Sequence, residues 1–524
     1  MPQPTPTPPK PLHTARSAAM LLMMSAVLSG LLALERIRYI NAIFGAGIAQ
    51  DAYRAAFKLP DLLNYFLIGG AASISLITIL NRYRTAGDDE GGDRALSVIL
   101  TTMLVVLCIG VVVTFVIAPY YVAYFFDGFR HDARARLCVS LTRLLLPGQL
   151  FFFIGSVMSS RLQVRKIFIY QAFTPLIYNG GILLGALLLH RRIGVYSLAV
   201  GALAGVMVGS ALLNSLGAFR NGLRYRFIVD FRDPAFLEWF HLSLPLMLGV
   251  SLVMFDSIFI NKFASRDLGG VTLITNAKDL FNAPFNIIGP AAGAASLPFF
   301  AAIFQRGRNH DFSTSVARSV SRLFAVGMLV TAWMLALSHW LMDIFRGGKF
   351  NSYDVAVMRQ LFCVFAFTLA VWAVQGIFAR AFYAASDMRT PAIASTAVVL
   401  LSAPVYWALF HLLGMIGLAI ASDICIVAQT VVLAVLLHKK RLVSLHHLEW
   451  GELGRASFAA VAAFGATAGV VYFMPPVATH EGDLAMIAIG SVIWAIAALG
   501  TLLLTGSKLP TQILRRSRPA ATPA

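Results

Sequence analysis

Charged residues are scarce in this chain of 524 residues, since Asp, Glu, Lys and Arg make up 13% of it and hydrophobic residues 58%. A soluble protein of this length carries roughly 25% charged residues. The apolar residues also form long runs without any charge, at 98–118, 196–216 and 484–504. Each run is long enough to cross a hydrocarbon layer of about 30 Å as a helix. The composition therefore predicts a multi-pass, all-α membrane protein.

Catalytic and metal-binding signatures are also missing. The sequence contains no GxSxG, HExxH or P-loop motif and no paired His cluster. Its four cysteines form no CxxC pair and no Cys/His cluster. We therefore expect a transporter rather than an enzyme, with no metal and no cofactor. Without an ATP-binding motif, active transport must draw on a coupling monovalent ion, on the membrane potential or on removal of the product.

The net charge of +18 would suggest a nucleic-acid partner in a soluble protein. We do not expect one here, because cytoplasmic loops of membrane proteins are rich in Lys and Arg and no soluble basic domain or zinc-finger spacing appears. With a cytoplasmic N-terminus, about 26 of the 42 basic residues fall on the cytoplasmic side. This bias predicts an even number of spans with both termini inside. We expect fourteen, at 17–43, 50–80, 95–118, 137–160, 167–189, 194–219, 237–262, 270–303, 316–343, 356–382, 390–412, 414–437, 455–475 and 483–505.

The spans group into segments of different kinds. A Pro-rich and disordered N-terminus is expected at 1–16, and a basic cytoplasmic tail at 508–524. Between them we expect a first lobe of six spans at 17–222, a second at 223–442 and an added pair of spans at 443–507.

A weak internal repeat supports this division. The sequence Gly-Ala-Ala-Ser occurs at 70–73 and again at 293–296, and Thr-Pro occurs at 174–175 and again at 390–391. The offsets are near 220 residues. Since Ala- and Gly-rich helices resemble one another, a chance match is the alternative. If the repeat is real, two six-helix bundles are related by a pseudo-repeat, an arrangement typical of transporters with a substrate site between the repeats.

Charged side chains inside the spans are the candidate functional residues, because each costs about 2.5–3.5 kcal/mol to insert. In the second span, Asp51, Arg54, Lys58 and Asp61 are separated by 3, 4 and 3 residues and so share one helical face. We expect that face to look into a polar cavity of mixed charge. Ion pairing among these groups near a membrane surface is the alternative. Other charges within spans are Glu35, Arg36, Arg38, Arg143, Asp256, Lys278, Asp279 and Asp423.

Several motifs resemble a known family. Residues 43–52, with the sequence IFGAGIAQDA, and residues 56–63, with the sequence AFKLPDLL, are similar to the start of the MurJ (MviN) family of lipid II flippases in the MOP exporter superfamily. Further matches keep their order along the chain and include Gly348 to Phe350, Asp354, and the segment from Phe382 to Pro391.

The resemblance implies a V-shaped pair of lobes that works by alternating access. Its substrate would be the undecaprenyl-pyrophosphate-linked peptidoglycan precursor, moved from the cytoplasmic to the periplasmic leaflet of the bacterial inner membrane. Basic cavity residues would hold the pyrophosphate, and a groove at 443–507 would take the lipid tail. Membrane lipids and cell-wall synthesis proteins are the other expected partners. The expected substrate-binding residues are Arg36, Asp51, Arg54, Lys58, Lys278 and Asp279, and the candidate cation site consists of Asp256 and Asp387.

Three positions depart from the family pattern. Gly30, Asn64 and Asp279 stand where the family usually has arginine. This difference keeps two alternatives open. The chain could export another lipid-linked saccharide or an amphipathic molecule, or it could be a membrane scaffold of a cell-wall complex that transports nothing.

Overall fold

The computed structural model describes residues 15–67, 69–130, 132–247, 252–474 and 479–511. The described residues form helices and no β-strand, which confirms the expected all-α fold. Nearly all of the two expected terminal segments, 1–16 and 508–524, lies outside these ranges. The chain divides into two compact units, Met1–Gly249 and Val250–Ala524.

The first unit contains eleven α-helices within its described residues. A short π-helical stretch, Met207–Leu212, joins α9 to α10. The helices are α1 (Ala15–Phe44), α2 (Ile48–Ala56), α3 (Lys58–Leu67), α4 (Gly69–Thr85), α5 (Asp89–Phe125), α6 (Ala133–Leu145), α7 (Gly148–Val164), α8 (Ile169–Ile193), α9 (Tyr196–Val206), α10 (Leu213–Arg220) and α11 (Pro234–Met247).

The core of the first unit explains where the unit ends. Leu96 and Met103 of α5, Phe153 of α7 and Trp239 of α11 are buried in one apolar cluster. Because α11 packs on α4 and α5, the first unit extends to Gly249, beyond residue 222 where the sequence placed the end of the first lobe.

Helices α8 and α9 approach each other closely because glycines line their contact. A Cβ atom on Gly201 would lie 2.5 Å from the carbonyl oxygen of Gly181, and one on Gly185 would lie 2.5 Å from that of Ser197. No side chain fits at these distances, so small residues are required for the two backbones to meet.

The second unit contains nine α-helices within its described residues. The helices are α12 (Leu252–Ala264), α13 (Gly270–Gln305), α14 (Asn309–Ala336), α15 (Ser338–Asp343), α16 (Ser352–Phe367), α17 (Leu369–Ala384), α18 (Arg389–Lys439), α19 (Trp450–Phe473) and α20 (His480–Leu504). Helices α19 and α20 pack against each other and against α14 and α15.

Helix α18 is a hairpin of two antiparallel arms. Its 51 residues would extend about 76 Å if straight, yet its ends meet, since Lys440 Nζ lies 2.6 Å from Asp387 Oδ2. The reversal occurs at Gly414, whose φ of 61° and ψ of −139° are not helical. Further along the arms, Gln429 donates a hydrogen bond of 2.7 Å to Ser395 Oγ. The two spans expected at 390–412 and 414–437 are these two arms.

The internal repeat is visible in the turns of the backbone. Left-handed residues with positive φ recur at positions separated by 220 residues in the two units. The similarity extends to ψ, which is −136° at Gly194 and −139° at Gly414. The chance explanation of the repeat is therefore wrong. The pairs are Gly87 and Gly307, Lys166 and Ser386, and Gly194 and Gly414.

Within the described ranges, nine helical segments are long and apolar enough to cross a membrane. The pair α16 and α17, bent by 42° at its break, makes a tenth if it is one span. The hairpin α18 counts once in this number. The chain is thus a multi-pass membrane protein, and the count of fourteen spans stays a prediction.

Candidate functional site

A cluster of basic and phenolic side chains lies in the first unit, where α1, α2 and α8 meet. Arg36 of α1 and Arg54 of α2 are both within electrostatic range of the Tyr53 hydroxyl. Arg36 also acts on Tyr178 of α8. We call Arg36, Tyr53, Arg54 and Tyr178 the arginine cluster.

Arg36 is the residue of this cluster that most clearly invites a ligand. Its Nε is buried and has no hydrogen-bond acceptor among the described residues. A buried donor on a charged group that stays unsatisfied costs free energy. An anionic oxygen would remove that cost, and a guanidinium suits phosphate because it can donate two parallel hydrogen bonds.

A cavity of about 110 Å³ adjoins the cluster. Asp61, Asn64, Gln149 and Tyr178 contribute its polar lining. Lys58 of α3 is half-buried and acts electrostatically on Asp61. Asn64 donates a hydrogen bond of 2.9 Å to Gln149 Oε1. An amide thus lines the cavity at one of the positions where the resemblance led us to expect arginine.

Asp51 differs from the other expected substrate-binding residues because it forms a buried ion pair with Arg134. Its side chain is fully buried, and its Oδ2 accepts from Arg134 Nη1 at 3.2 Å. Arg134 also bonds to Asp132 at 2.5 Å and lies 4.6 Å from the centre of the Phe129 ring. The pair joins α2 to α6 inside the unit, and a contact of Asp51 with the substrate stays a prediction.

The second unit contains the other expected site residues. The ammonium of Lys278 on α13 is bonded to Asp256 Oδ2 on α12, and the hydroxyl of Tyr406 donates to Asp256 Oδ1. Both carboxylate oxygens of this buried acid are therefore engaged by the protein. The ammonium also lies 5.4 Å from the ring centre of Phe365 and 5.6 Å from that of Trp372, within the range of cation–π attraction.

Asp423, on the second arm of α18, lies near this ion pair. Thr368 Oγ1 donates a hydrogen bond of 2.5 Å to Asp423 Oδ1, and Lys278 acts on Asp423 electrostatically. Asp279, the neighbour of Lys278 in the sequence, is half-buried. Lys278 thus lies between two acids, a setting that the spacing of residues along one helix could not predict.

Asp387 lies outside the helices, in the turn before α18. Its Oδ1 accepts from the backbone N–H of Thr390 at 3.0 Å, and its Oδ2 accepts from Lys440 Nζ at 2.6 Å. Partial burial raises the pKa of Asp387, but the bonds from Lys440 and Thr390 outweigh it and lower the pKa to about 2.

Asp256 and Asp387 therefore have separate partners and separate roles. Asp256 is paired with Lys278, and Asp387 closes the ends of the α18 hairpin. The described part of the chain holds no group of three or more His, Cys, Asp or Glu side chains that could bind a metal ion. The contacts give no support to a single cation site made of these two acids.

Residues that the sequence analysis missed are the partners of those it found. Arg134 is 83 positions from Asp51, and Tyr406 is 150 positions from Asp256. No helical periodicity connects such distant positions.

Gly30 lies in open space, because a Cβ atom there would meet no other atom within 4 Å. The position where the resemblance predicted arginine therefore has room for a larger side chain.

Comparisons with known proteins agree with this architecture. The family model described as "Lipid II flippase MurJ" matches residues 40–493. A probable lipid II flippase MurJ of Borreliella burgdorferi is 22% identical over 431 residues, covering 81% of this chain and 83% of the relative. The lipid II flippase MurJ of Burkholderia cenocepacia is 24% identical over 416 residues, covering 75% and 78%.

Solved structures show the same fold. A lipid II flippase MurJ in an inward closed conformation matches with a TM-score of 0.73 and 19% identity, covering 92% of this chain and 99% of that one. An inward-facing multidrug resistance MATE transporter of the MOP superfamily matches with a TM-score of 0.65 and 15% identity, covering 82% and 99%. The chain therefore has the fold that these two transporters share.

Proposed function

The chain belongs to the lipid II flippase MurJ family, and from that premise we propose that it carries lipid II across the bacterial inner membrane for cell-wall synthesis. Lipid II would move from the cytoplasmic to the periplasmic leaflet by alternating access, with both termini in the cytoplasm. The family consists of transporters rather than enzymes. Neither alternative from the sequence, an exporter of another molecule or a membrane scaffold, is favoured by the comparisons.

The observation that carries the site assignment is the unsatisfied buried Nε of Arg36. We assign the pyrophosphate to the arginine cluster, where Arg36 and Arg54 supply positive charge and the hydroxyls of Tyr53 and Tyr178 can donate hydrogen bonds. Lys58, close to the cavity lined by Asp61, adds a further positive charge. Several donors converging on one phosphate give stronger binding than any single pair.

Lys278 fits this role less well than the cluster does. Its ammonium is already balanced by Asp256, so binding a pyrophosphate would require breaking a buried pair. Breaking such a pair costs about 3–5 kcal/mol. We propose that Lys278 maintains the electrostatic balance of the second unit, and that a monovalent ion or the membrane potential drives transport.

The lipid tail would lie on α19 and α20. Large apolar side chains face outward on both helices, with Phe458 61% exposed and Ile496 67% exposed. The inner faces are anchored, since Trp494 Nε1 donates a hydrogen bond of 2.9 Å to the carbonyl of Leu329. An apolar outer surface on a firmly held helix pair suits an isoprenoid chain.

Complementation tests this function. The chain is expressed in a bacterium depleted of its own lipid II flippase, and growth is scored together with lipid II accessible at the outer leaflet. We expect rescue by the unaltered chain and none by Arg36→Ala or Lys58→Ala. Arg38→Ala is the matched control, because Arg38 pairs with Glu35 at 3.1 Å on the same helix and should still rescue.

The possible failures have distinct meanings. If the unaltered chain is present in the membrane and does not rescue, lipid II is not its substrate. If it rescues and Arg36→Ala does so equally well, the pyrophosphate site is elsewhere.

A further inference from the structure

A groove between α5 and α6 of the first unit gathers three arginines, and no acid is among the described residues that line it. It has a volume of about 550 Å³ and does not share residues with the arginine cluster. We call it the α5–α6 groove. Its apolar walls include Pro119, Val122 and Phe126, and its basic residues are Arg130, Arg136 and Arg143.

Two of these arginines are held in place by the protein. Arg130 Nε donates to the carbonyl of Ala123 at 2.8 Å, and Arg143 Nε donates to the carbonyl of Phe115 at 3.2 Å. Arg143 also lies 4.6 Å from the centre of the Phe115 ring. Within the described ranges these bonds leave the two terminal nitrogens of each guanidinium without an acceptor. Those nitrogens form the edge that a phosphate accepts bidentately.

The third arginine follows the same face of α6. Arg136, Ser140 and Arg143 are separated by 4 and 3 residues, so they lie on one side of the helix. The groove therefore carries three positive charges, and no acidic side chain among its described lining residues neutralises them. With the predicted orientation of the chain these charges lie on the periplasmic side, where basic residues are less common.

The surroundings of the groove indicate a lipid surface. Along α5, Ile109, Val112 and Val116 are 60–62% exposed and form an apolar stripe. The stripe ends at Tyr120 and Tyr124, which are 75% and 64% exposed, and tyrosines of this kind mark the interface between hydrocarbon and headgroups. The groove adjoins this end of α5, at the depth where a phospholipid has its phosphate.

We propose that the α5–α6 groove binds an anionic phospholipid, with the phosphate on the three guanidinium groups and one acyl chain along the apolar stripe of α5. Phosphatidylglycerol has this chemistry, with a net negative headgroup on two acyl chains. Ordinary snorkelling of arginines to the interface would need neither a shared groove nor the fixed Nε bonds. The site is separate from the proposed pyrophosphate site and stands whatever the transported substrate is.

Binding of phosphatidylglycerol by the full chain tests the proposal. The protein is placed in nanodiscs of phosphatidylethanolamine with increasing phosphatidylglycerol, and bound lipid is counted by native mass spectrometry after release. We expect Arg136→Gln combined with Arg143→Gln to weaken phosphatidylglycerol binding about tenfold. Arg130→Gln combined with Arg136→Gln, at two exposed positions, gives the same result without disturbing the packing under Phe115.

The matched control removes two charges at the end of α8. Arg191 and Arg192 are exposed and lie on the same predicted side of the membrane, but they do not line the groove. Arg191→Gln combined with Arg192→Gln should leave phosphatidylglycerol binding unchanged. Equal losses in the groove and control variants would overturn the proposal, because a general surface charge would then explain binding. Equal binding of zwitterionic phosphatidylcholine, or binding of undecaprenyl phosphate in place of phosphatidylglycerol, would overturn it as well.

Discussion

The two units use corresponding helices but place opposite charges on them. Arg36 lies eight residues before the end of α1, and Asp256 lies eight residues before the end of α12. These positions differ by 220, the offset of the repeated turns. In the first unit the position holds a cation with an unsatisfied donor, and in the second it holds an acid with both oxygens engaged.

The next helices extend the comparison. Lys58 and Lys278 also differ by 220 and carry the same charge. Lys278 is bonded to Asp256. Its equivalent Lys58 has an arginine, Arg36, at the position equivalent to that acid. The same helical framework yields a neutralised pair in one unit and an anion-attracting cluster in the other. The charge of the side chain at position 36 in the first unit and 256 in the second determines which of the two arrangements forms.

Breaking the neutralised pair should have the largest effect. Asp256→Ala would leave the Lys278 ammonium buried without its carboxylate, which costs about 3–5 kcal/mol. We expect a clear fall in the thermal unfolding midpoint of the purified protein. Combining Asp256→Asn with Lys278→Met should restore most of the stability, because no uncompensated charge remains. A double variant as unstable as Asp256→Ala would contradict this explanation.

Making the first unit imitate the second should have the next largest effect. Arg36→Asp would give Arg54 an acidic neighbour and remove the attraction for an anion. A hydrogen bond to a charged group contributes about 1.5–3 kcal/mol, so we expect lipid II transport into the outer leaflet of proteoliposomes to fall at least about tenfold. Arg36→Gln removes charge without reversing it and should lose less. If Arg36→Asp and Arg36→Gln reduce lipid II transport equally, pairing of the new acid with Arg54 is not the cause of the loss.

Adding a cation to the first unit should have a smaller effect of the opposite sign. Gly30 has open space around it, so Gly30→Arg should fold normally and raise pyrophosphate affinity by a few-fold, measured as competition with lipid II. Asn64→Arg should gain less, because it loses the bond to Gln149 and must fit a cavity of about 110 Å³. A greater gain at Asn64 than at Gly30 would place the pyrophosphate deeper in the cavity.

The smallest effect is expected at the ends of the α18 hairpin. The pKa of Asp387 is lowered from 3.8 to about 2 in the folded protein. Its contribution to stability is therefore complete above about pH 4 and is lost as the pH falls towards 2. Because the pair with Lys440 is partly exposed, we expect less than about 1 kcal/mol. Lys440→Ala should lower the unfolding midpoint at pH 6 and have a smaller effect at pH 2.5, where part of the contribution is already lost. An equal fall in the unfolding midpoint at pH 6 and at pH 2.5 would show that the ion pair between Asp387 and Lys440 is not its cause.

How much the sequence could predict follows from the range of each interaction. Thr390-Pro391 and Gly414 mark the beginning and the reversal of α18, because local backbone chemistry determines both. Helical spacing also identified Arg54 and Lys58 as polar positions. It could not find Arg134 as the partner of Asp51, because packing of α6 against α2 brings them together. The cation site expected at Asp256 and Asp387 stays a prediction, and the observed contacts join these two acids to separate lysines.

The turn at Gly414 also has a consequence for how the chain enters the membrane. The residues around it, Leu412, Leu413, Met415 and Ile416, are all apolar, and the nearest polar side chain is the exposed His411, so the tip is a short turn with little polar surface. The two arms of α18 can then partition into lipid only together, as one insertion event during synthesis. If polar residues were inserted at Gly414, the first arm could enter the membrane by itself, before the second arm has been synthesised.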